Sequence, residues 1–380
     1  MGRTIGVMAR VFDQPDGLGL YCRNLLRHMV ALDFSTRYVM FLRSAERIAD
    51  FLEFPNVGYS VLTAPGGLCW DQFAVPVAAR RHGVDLIFSP KLSLPLLTTR
   101  PCAFVLQDPD WYWEPRSKSR RRGIYLHTML PLYCRKARRL LVISHFARDN
   151  LVRNRLVSWE KTSVAYGAVG TNFTGRRNDA QLAAFRTTHR LPAAFILTVL
   201  NPHQGHAIRP RAAVGSLERL LLAFQSYRGA GGRLHLVIVG HGAEDREALH
   251  GCNGSLSSGV CLLGPVPNDQ MHLPYQLAEF YVSAGLGGLL PILEALACGC
   301  PAVVPRTCAV PEVAERAARF VNPYDERELT AAMLELDRSP ALRHRLRVAG
   351  LVRAEAFGWS RVARRVLTAL EDLPVRACIS

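Results

Sequence analysis

A glutamate stands where an ordinary amphipathic helix would not put one. In Ser283-Ala-Gly-Leu-Gly-Gly-Leu-Leu-Pro-Ile-Leu-Glu-Ala-Leu-Ala-Cys-Gly-Cys-Pro301, Glu294 lies between Leu293 and Ala295 with only small or apolar neighbours, a costly place for a carboxylate unless it has a partner. The glycine-rich run before it leads into a helix with Pro291 near its start. Free amides at Gly287, Gly288, Leu289 and Leu290 and the positive end of the helix dipole then suit a diphosphate. Glu294, one turn further in, is poorly placed for phosphate but can accept hydrogen bonds from two adjacent ribose hydroxyls. A second pattern is Arg10-Val-Phe-Asp-Gln-Pro-Asp-Gly-Leu-Gly-Leu-Tyr21. There Gly17 and Gly19 permit a tight turn with amides facing a concave site, and a plain strand-to-helix loop has the same composition. The third is Val105-Leu-Gln-Asp-Pro-Asp-Trp-Tyr-Trp113. Gln107 and Asp108 could accept hydroxyl hydrogens while Trp111, Tyr112 and Trp113 cover the C–H face of a sugar; equally, Asp108 caps a turn and the rings pack inside.

These three patterns all follow short apolar runs, so the strands decide where they meet. Ile5–Ala9, Tyr38–Leu42, Asp85–Ser89, Ala103–Leu106, Leu140–Ser144 and Thr162–Tyr166 read as strands, with helices at Tyr21–Leu32, Asp71–His82 and Ile124–Arg139. After a polar stretch the rhythm resumes with strands at Phe195–Val199, Leu234–Val239, Gly259–Leu263, Phe280–Ser283, Pro301–Val304 and Ala318–Val321. Helices at Ser216–Tyr227, Leu290–Cys298, Arg327–Arg338, Pro340–Phe357 and Ser360–Leu373 alternate with them. Two βαβ series predict an α/β protein of two doubly wound, Rossmann-like domains facing a cleft, with ligands at the carboxyl ends of the strands. The 380-residue length agrees with two domains.

Composition narrows the function classes. With 49% hydrophobic and 21% charged residues the chain has a core to bury, which excludes a disordered chain or a fibre. The formal charge is +16, so an anionic neighbour is expected: a phosphorylated small molecule, an anionic membrane surface or nucleic acid. Its lysines are Lys91, Lys118, Lys136 and Lys161, and every later basic side chain is Arg or His. The clusters Arg116-Ser-Lys-Ser-Arg-Arg-Arg122 and Arg135-Lys-Ala-Arg-Arg139 predict a basic face for anionic lipid or a pyrophosphate-linked acceptor; an ordinary solvated helix face has the same composition. They carry no helix-turn-helix, zinc or RNA-recognition pattern, which sets nucleic acid aside. The ten cysteines show no CxxC or zinc spacing and read as reduced thiols in a cytoplasm. Met1–Arg10 reads as a first strand and not a signal peptide, and no apolar run is long enough to span a bilayer. The expectation is a cytoplasmic protein, peripheral on the inner membrane face.

An ordered set of motifs resembles the family 4 retaining glycosyltransferases of the two-domain GT-B fold, above all the bacterial branch with mannosyltransferases of surface-polysaccharide assembly. The motifs are Gly17-Leu-Gly-Leu-Tyr21, Trp70-Asp-Gln72, Val142-Ile-Ser-His-Phe146, Val237-Ile-Val-Gly-His-Gly242, Leu263-Gly-Pro-Val266, Pro291-Ile-Leu-Glu-Ala-Leu-Ala-Cys-Gly-Cys-Pro-Ala-Val-Val304, Val310-Pro-Glu-Val313 and Phe357-Gly-Trp-Ser360. The resemblance implies transfer of a hexose from a nucleotide sugar to a glycan or lipid-linked acceptor, with retention and with no cofactor or obligatory metal. It implies an acceptor-binding domain over 1–172, a linker over 173–192, a donor-binding domain over 193–357 and a last helix, 358–380, returning to the first domain. On that reading Asp108, Gln107, Gly17 and Gly19 serve catalysis. Glu294, Gly287, Gly288, Leu289, Leu290, Arg209, Arg211, His203, Gly240 and His241 hold the donor; Trp111, Tyr112, Trp113 and Ser144 hold the acceptor.

The chain departs from the family pattern at three places. Leu286 occupies the position of the first glutamate in the family's Glu-x7-Glu motif. The basic pair after the first strand of the second domain is replaced by Asn201-Pro-His-Gln-Gly-His206, with Arg209 and Arg211 further along a longer loop, where a guanidinium can bind phosphate bidentately. Gln107 stands where many relatives carry histidine; it can hydrogen-bond a sugar but carries no proton or charge. A catalytically weakened relative that binds a nucleotide sugar or a partner is the alternative these departures raise.

Overall fold

Apolar runs of three to six residues, the central ones buried on both faces, form two all-parallel sheets in the computed structural model, as crossover helices on each side require. The structure describes residues 2–13, 17–106, 120–200, 211–240, 259–283, 285, 288–373; within these, the side chains of 17, 18, 120–126 and 211–216 are not described. Chain contacts divide it into two units, 1–167 with the residues from 359 onward, and 168–358.

The first sheet holds β1 (Thr4–Met8), β2 (Arg37–Leu42), β3 (Val57–Val61), β4 (Leu86–Ser89), β5 (Cys102–Leu106), β6 (Arg139–Val142) and β7 (Thr162–Val164) in the order β3-β2-β1-β4-β5-β6-β7. Strand order reverses between β1 and β4, with Ile5 paired to Leu86. The edge strand β3 was not expected from the sequence. Its pattern is masked because Gly58 and Ser60 break the apolar run and its residues are only half buried, as an edge allows. The helices are α1 (Gly17–Leu32), α2 (Gly66–Cys69), α3 (Val75–Arg81), α4 (Arg120–Lys136) and α5 (His145–Arg153). Phe104, Tyr133, Trp70 and Leu140 lie in the core under one face of this sheet.

The second unit contains β8 (Phe195–Val199), β9 (His235–Val239), β10 (Val260–Gly264), β11 (Phe280–Val282), β12 (Ala302–Pro305) and β13 (Arg319–Val321), ordered β10-β9-β8-β11-β12-β13. Here the reversal falls between β8 and β11, which pair Ile196 with Phe280. Its helices are α6 (Asp179–Thr188), α7 (Arg211–Gly229), α8 (His272–Leu277), α9 (Leu289–Ala297), α10 (Val310–Ala314), α11 (Glu326–Arg338) and α12 (Pro340–Ala354). The stretch read as a linker, 173–192, therefore contains α6, and it clusters with the second unit. Asn178 caps α6 by accepting from the Gln181 amide at 3.2 Å, and Leu182 and Phe185 are buried, which is why the segment folds as an element.

The last helix, α13 (Trp359–Glu371), packs in the first unit against α1. Trp359 lies 5.3 Å from the Tyr21 ring, and Arg3 Nη1 donates to the Leu370 carbonyl at 2.6 Å. Among the described residues, no helix is long and apolar enough to cross a membrane.

Candidate functional site

In doubly wound sheets the loops flanking the strand-order reversal form the natural crevice, and each unit has such a place. In the first, β1 runs into a 3-10 turn, Ala9–Asp13, which carries Arg10, and β4 runs into the loop bearing Lys91 and Ser93. Between α2 and α3 the helix widens into a π turn, Trp70–Ala74, a form concentrated at functional sites. It turns three consecutive residues inward: Trp70, Asp71 and Gln72 are all buried. The Trp70 indole N–H donates to the Leu62 carbonyl at 3.2 Å. Gln72 donates to the Leu94 carbonyl at 2.9 Å and accepts from the Leu96 amide at 2.8 Å, clamping the loop after β4.

Asp71, only 4% exposed, pairs with Arg10 through Nη2 to Oδ2 at 3.2 Å. The Arg10 guanidinium also sits 5.6 Å from the Trp70 ring centre and lies flat against the backbone of Gly67, where a Cβ would come within 2.1 Å of Nη1. Burial pushes the Asp71 carboxyl up, opposed by Lys91 and Arg10 and by the neighbouring Ser93 hydroxyl. Burial also pushes Lys91 down to about 8, with Asp71 opposing and Arg10 adding to the shift. Asp71 Oδ1, Ser93 Oγ and Arg10 Nε are buried without a hydrogen-bond partner.

In the second unit, Gly288 caps α9 with φ 107°, a left-handed conformation that favours glycine. Among the described residues no side chain caps the helix and no acid lies in its first turn; the N-terminal amides of Leu289 and Leu290 have no intrahelical acceptor. Gly240 follows β9, also left-handed, its amide bonded to the Gly264 carbonyl at 2.8 Å. Glu294 is buried within α9. Its Oε2 accepts from the Tyr275 hydroxyl at 2.9 Å, and Tyr275 lies against Phe173 and Tyr281 at ring distances of 6.2 and 5.8 Å. Burial pushes the Glu294 carboxyl up to about 8, the tyrosine bond pulling the other way.

The residues expected at the site divide accordingly. Glu294, Leu289 and Leu290 come together on α9 with Gly288 as its cap, while Gly240 follows β9, which β8 separates from the strand leading into α9. Gly17 and Gly19 lie in the first turn of α1. Ser144, expected at the acceptor, accepts from the Ala147 amide at 2.9 Å and is 2% exposed; that is the work of an N-cap on α5. Gln107, Asp108, Trp111, Tyr112, Trp113, His203, Arg209, His241 and Gly287 lie outside the described residues, as do Leu286 and the Arg211 side chain. Sequence reasoning missed Arg10, Lys91 and Tyr275. Asp71 enters the sequence reading only within Trp70-Asp-Gln72, and the usable signal for Lys91 is a cation two residues beyond a fully buried strand.

A model described as Glycosyltransferase Family 4 matches residues 15–173, and one described as Glycosyl transferases group 1 matches residues 211–338. The chain is 29% identical over 145 residues to the O-antigen chain mannosyltransferase B of Escherichia coli, a stretch covering 37% of this chain and 38% of that protein. The match thus spans well under half of that relative's length. Over 98% of its length the fold matches all of a glycosyltransferase from Rickettsia africae, with a TM-score of 0.70 at 12% identity. It matches all of Anabaena HepE in complex with UDP over the same share, at 0.69 and 15%. With both models matched in order and the GT-B fold of those structures, the chain belongs to the glycosyltransferases, a family 4 domain followed by a group 1 domain.

Proposed function

We propose that this protein transfers a hexose from a nucleotide-sugar donor to a glycan or lipid-linked acceptor, with retention and without an obligatory metal. The observation that carries the reading is α9: uncapped amides at Leu289 and Leu290, with the buried carboxyl of Glu294 one turn on. As the glycosidic bond stretches, negative charge grows on the leaving diphosphate, and fixed amide dipoles lower the barrier without reorganising. Glu294 takes the ribose hydroxyls, and Tyr275 holds the carboxyl in place through one oxygen. On this reading Arg209 and Arg211 supply the positive charge that the family places in a basic pair, and Asp108 and Gln107 serve the transfer step. The kinship with an O-antigen mannosyltransferase supports mannose and polysaccharide assembly, and the fold match to a UDP-bound protein supports a nucleotide.

Leu286, at the position of a family glutamate, favours a second reading: a relative that binds the nucleotide sugar without turnover. A thermal-shift screen with UDP, GDP, ADP and their sugars, followed by mass spectrometry of the best donor with a lipid-linked acceptor, separates the two. Stabilisation with a transferred hexose supports the first reading, and stabilisation with neither transfer nor hydrolysis supports the second. No stabilisation by any of them removes both.

The membrane reading narrows in the structure, because Lys136 donates to the Thr98 carbonyl and Arg139 bonds the Glu160 carbonyl at 2.9 Å. Attraction to anionic lipid then rests on the remaining basic residues of the two clusters and amounts to ~1 kcal/mol each; residues 116–119 and the side chains of 120–122 lie outside those described. Vesicle sedimentation at low and high salt tests it: equal binding to neutral and anionic vesicles ends the claim.

A further inference from the structure

The reversal point of the first sheet holds more positive than negative charge. Arg10 and Lys91 converge on one carboxylate, Asp71. Arg10 carries the ion pair at 3.2 Å; among the described residues, Lys91 Nζ has neither a hydrogen bond nor an ion pair within range. A half-buried ammonium with no partner is costly to a folded protein and persists at a crevice where a ligand completes it. Three more groups point the same way. Asp71 and Ser93 are 4% and 3% exposed and lie beside each other, yet Asp71 Oδ1, Ser93 Oγ and Arg10 Nε make no hydrogen bond within range. Buried polar atoms of this kind are normally satisfied. Together they present an ammonium, a guanidinium and a hydroxyl to one anion, with a carboxyl oxygen beside them that needs a hydroxyl hydrogen.

We infer that this crevice binds a phosphorylated sugar or polyol, its phosphate on Lys91, Arg10 and Ser93 and a neighbouring hydroxyl on Asp71. Phosphate oxygens accept from all three donors, and charge-assisted bonds of this kind are the stronger ones. A bare phosphate satisfies only the cations and leaves Asp71 Oδ1 facing an anion; a hydroxyl on the adjacent carbon removes that repulsion. The π turn places Asp71, the Gln72 clamp sets the loop of Lys91 and Ser93, and Gly67 leaves room for the guanidinium. Assigning this ligand to the acceptor rests on the glycosyl-transfer reading; the binding itself does not.

The test is calorimetry of the full chain with four probes: inorganic phosphate, glucose 1-phosphate, farnesyl phosphate in detergent micelles, and UDP. Wild type should bind glucose 1-phosphate more tightly than inorganic phosphate. Lys91→Met should weaken glucose 1-phosphate by about tenfold to a hundredfold while leaving UDP unchanged. Gly67→Ala, which keeps every charge but displaces the Arg10 guanidinium, should weaken it by a smaller factor. Loss of UDP binding alone in Lys91→Met would assign the crevice to the donor diphosphate and overturn the proposal. So would farnesyl phosphate binding as tightly as glucose 1-phosphate, since Asp71 would then have no hydroxyl to receive, and so would affinities within twofold of wild type in both variants. Because no donor sugar is present, Lys91-dependent binding with no transferase activity keeps the subsite and removes the transfer reading. Transfer with Lys91-independent phosphate binding does the reverse.

Discussion

Two carboxyls, Asp71 and Glu294, are buried close to the point where a parallel sheet reverses its strand order, and their surroundings neutralise them by different means. Asp71 has a guanidinium at 3.2 Å and an ammonium nearby. Glu294 has a phenol at 2.9 Å and aromatic rings behind it. An ion pair can hold a buried carboxylate ionised, at a desolvation cost the cations offset only in part. A phenol donates one hydrogen bond and no charge, so burial wins and the acid keeps its proton up to about 8. The first crevice is therefore a place where ionisable groups oppose one another's shifts, and the second a place where a neutral acid can both donate and accept.

The largest expected effect tests that contrast through pH. Glu294 holds its proton to about 8 when folded, against an ordinary value of 4.5. Across that interval the folded state binds a proton the unfolded chain has released, so stability falls as pH rises through it. The loss is on the order of 4 kcal/mol by the top of the window. Glu294→Gln keeps an acceptor for Tyr275 and removes the titration, so its denaturant-unfolding stability should be nearly flat where wild type declines. Asp71, also pushed up by burial, contributes the same sign in both proteins and cancels in the difference. Parallel slopes for the two proteins would mean that Glu294 is ionised in the folded state.

In the first unit the sensitive partner is the cation. Arg10→Met leaves Asp71 buried with Lys91 alone nearby and should cost about 3 kcal/mol. Adding Asp71→Asn should recover part of that cost, because the variant no longer buries an uncompensated charge. Unfolding of the single and double variants measures the coupling. A double variant less stable than Arg10→Met would show that Asp71 is held by its hydrogen bonds and not by its charge.

How much of this was legible depends on the range of the interaction. The βαβ rhythm and the glycine-rich entry to α9 are local signals, and strands such as Phe195–Val199 and Phe280–Val282 fall where their apolar runs place them. Glu294 was visible as well, since a lone acid in an apolar helix is anomalous whatever surrounds it. Tyr275 was not, because donor and acceptor are 19 positions apart and meet through the packing of α8 on α9. Arg10 and Asp71 are 61 residues apart, and nothing in Ser89-Pro-Lys-Leu-Ser93 marks Lys91 as facing either. The π turn that carries Asp71 was read as part of one regular helix, Asp71–His82, since a single inserted residue leaves the apolar spacing almost unchanged. Ser144 shows a local use that its position alone foretells: a serine opening a helix serves as its cap.

The smallest expected effect sharpens the contrast most directly. Tyr275→Phe removes one hydrogen bond to Glu294 and keeps the ring against Phe173 and Tyr281, so its stability cost near neutral pH should be only about 1 kcal/mol. Its signature lies in the titration. The phenol favours the ionised carboxyl, pulling it down against burial; without it Glu294 should hold its proton to a higher pH than in wild type, and the decline in stability should extend further into the alkaline range. Carboxyl carbon chemical shifts of Glu294 followed by NMR report that midpoint without unfolding the protein. A midpoint that moves down, or stays where it was, would show that Tyr275 only fills space and that another donor sets the charge state of the acid.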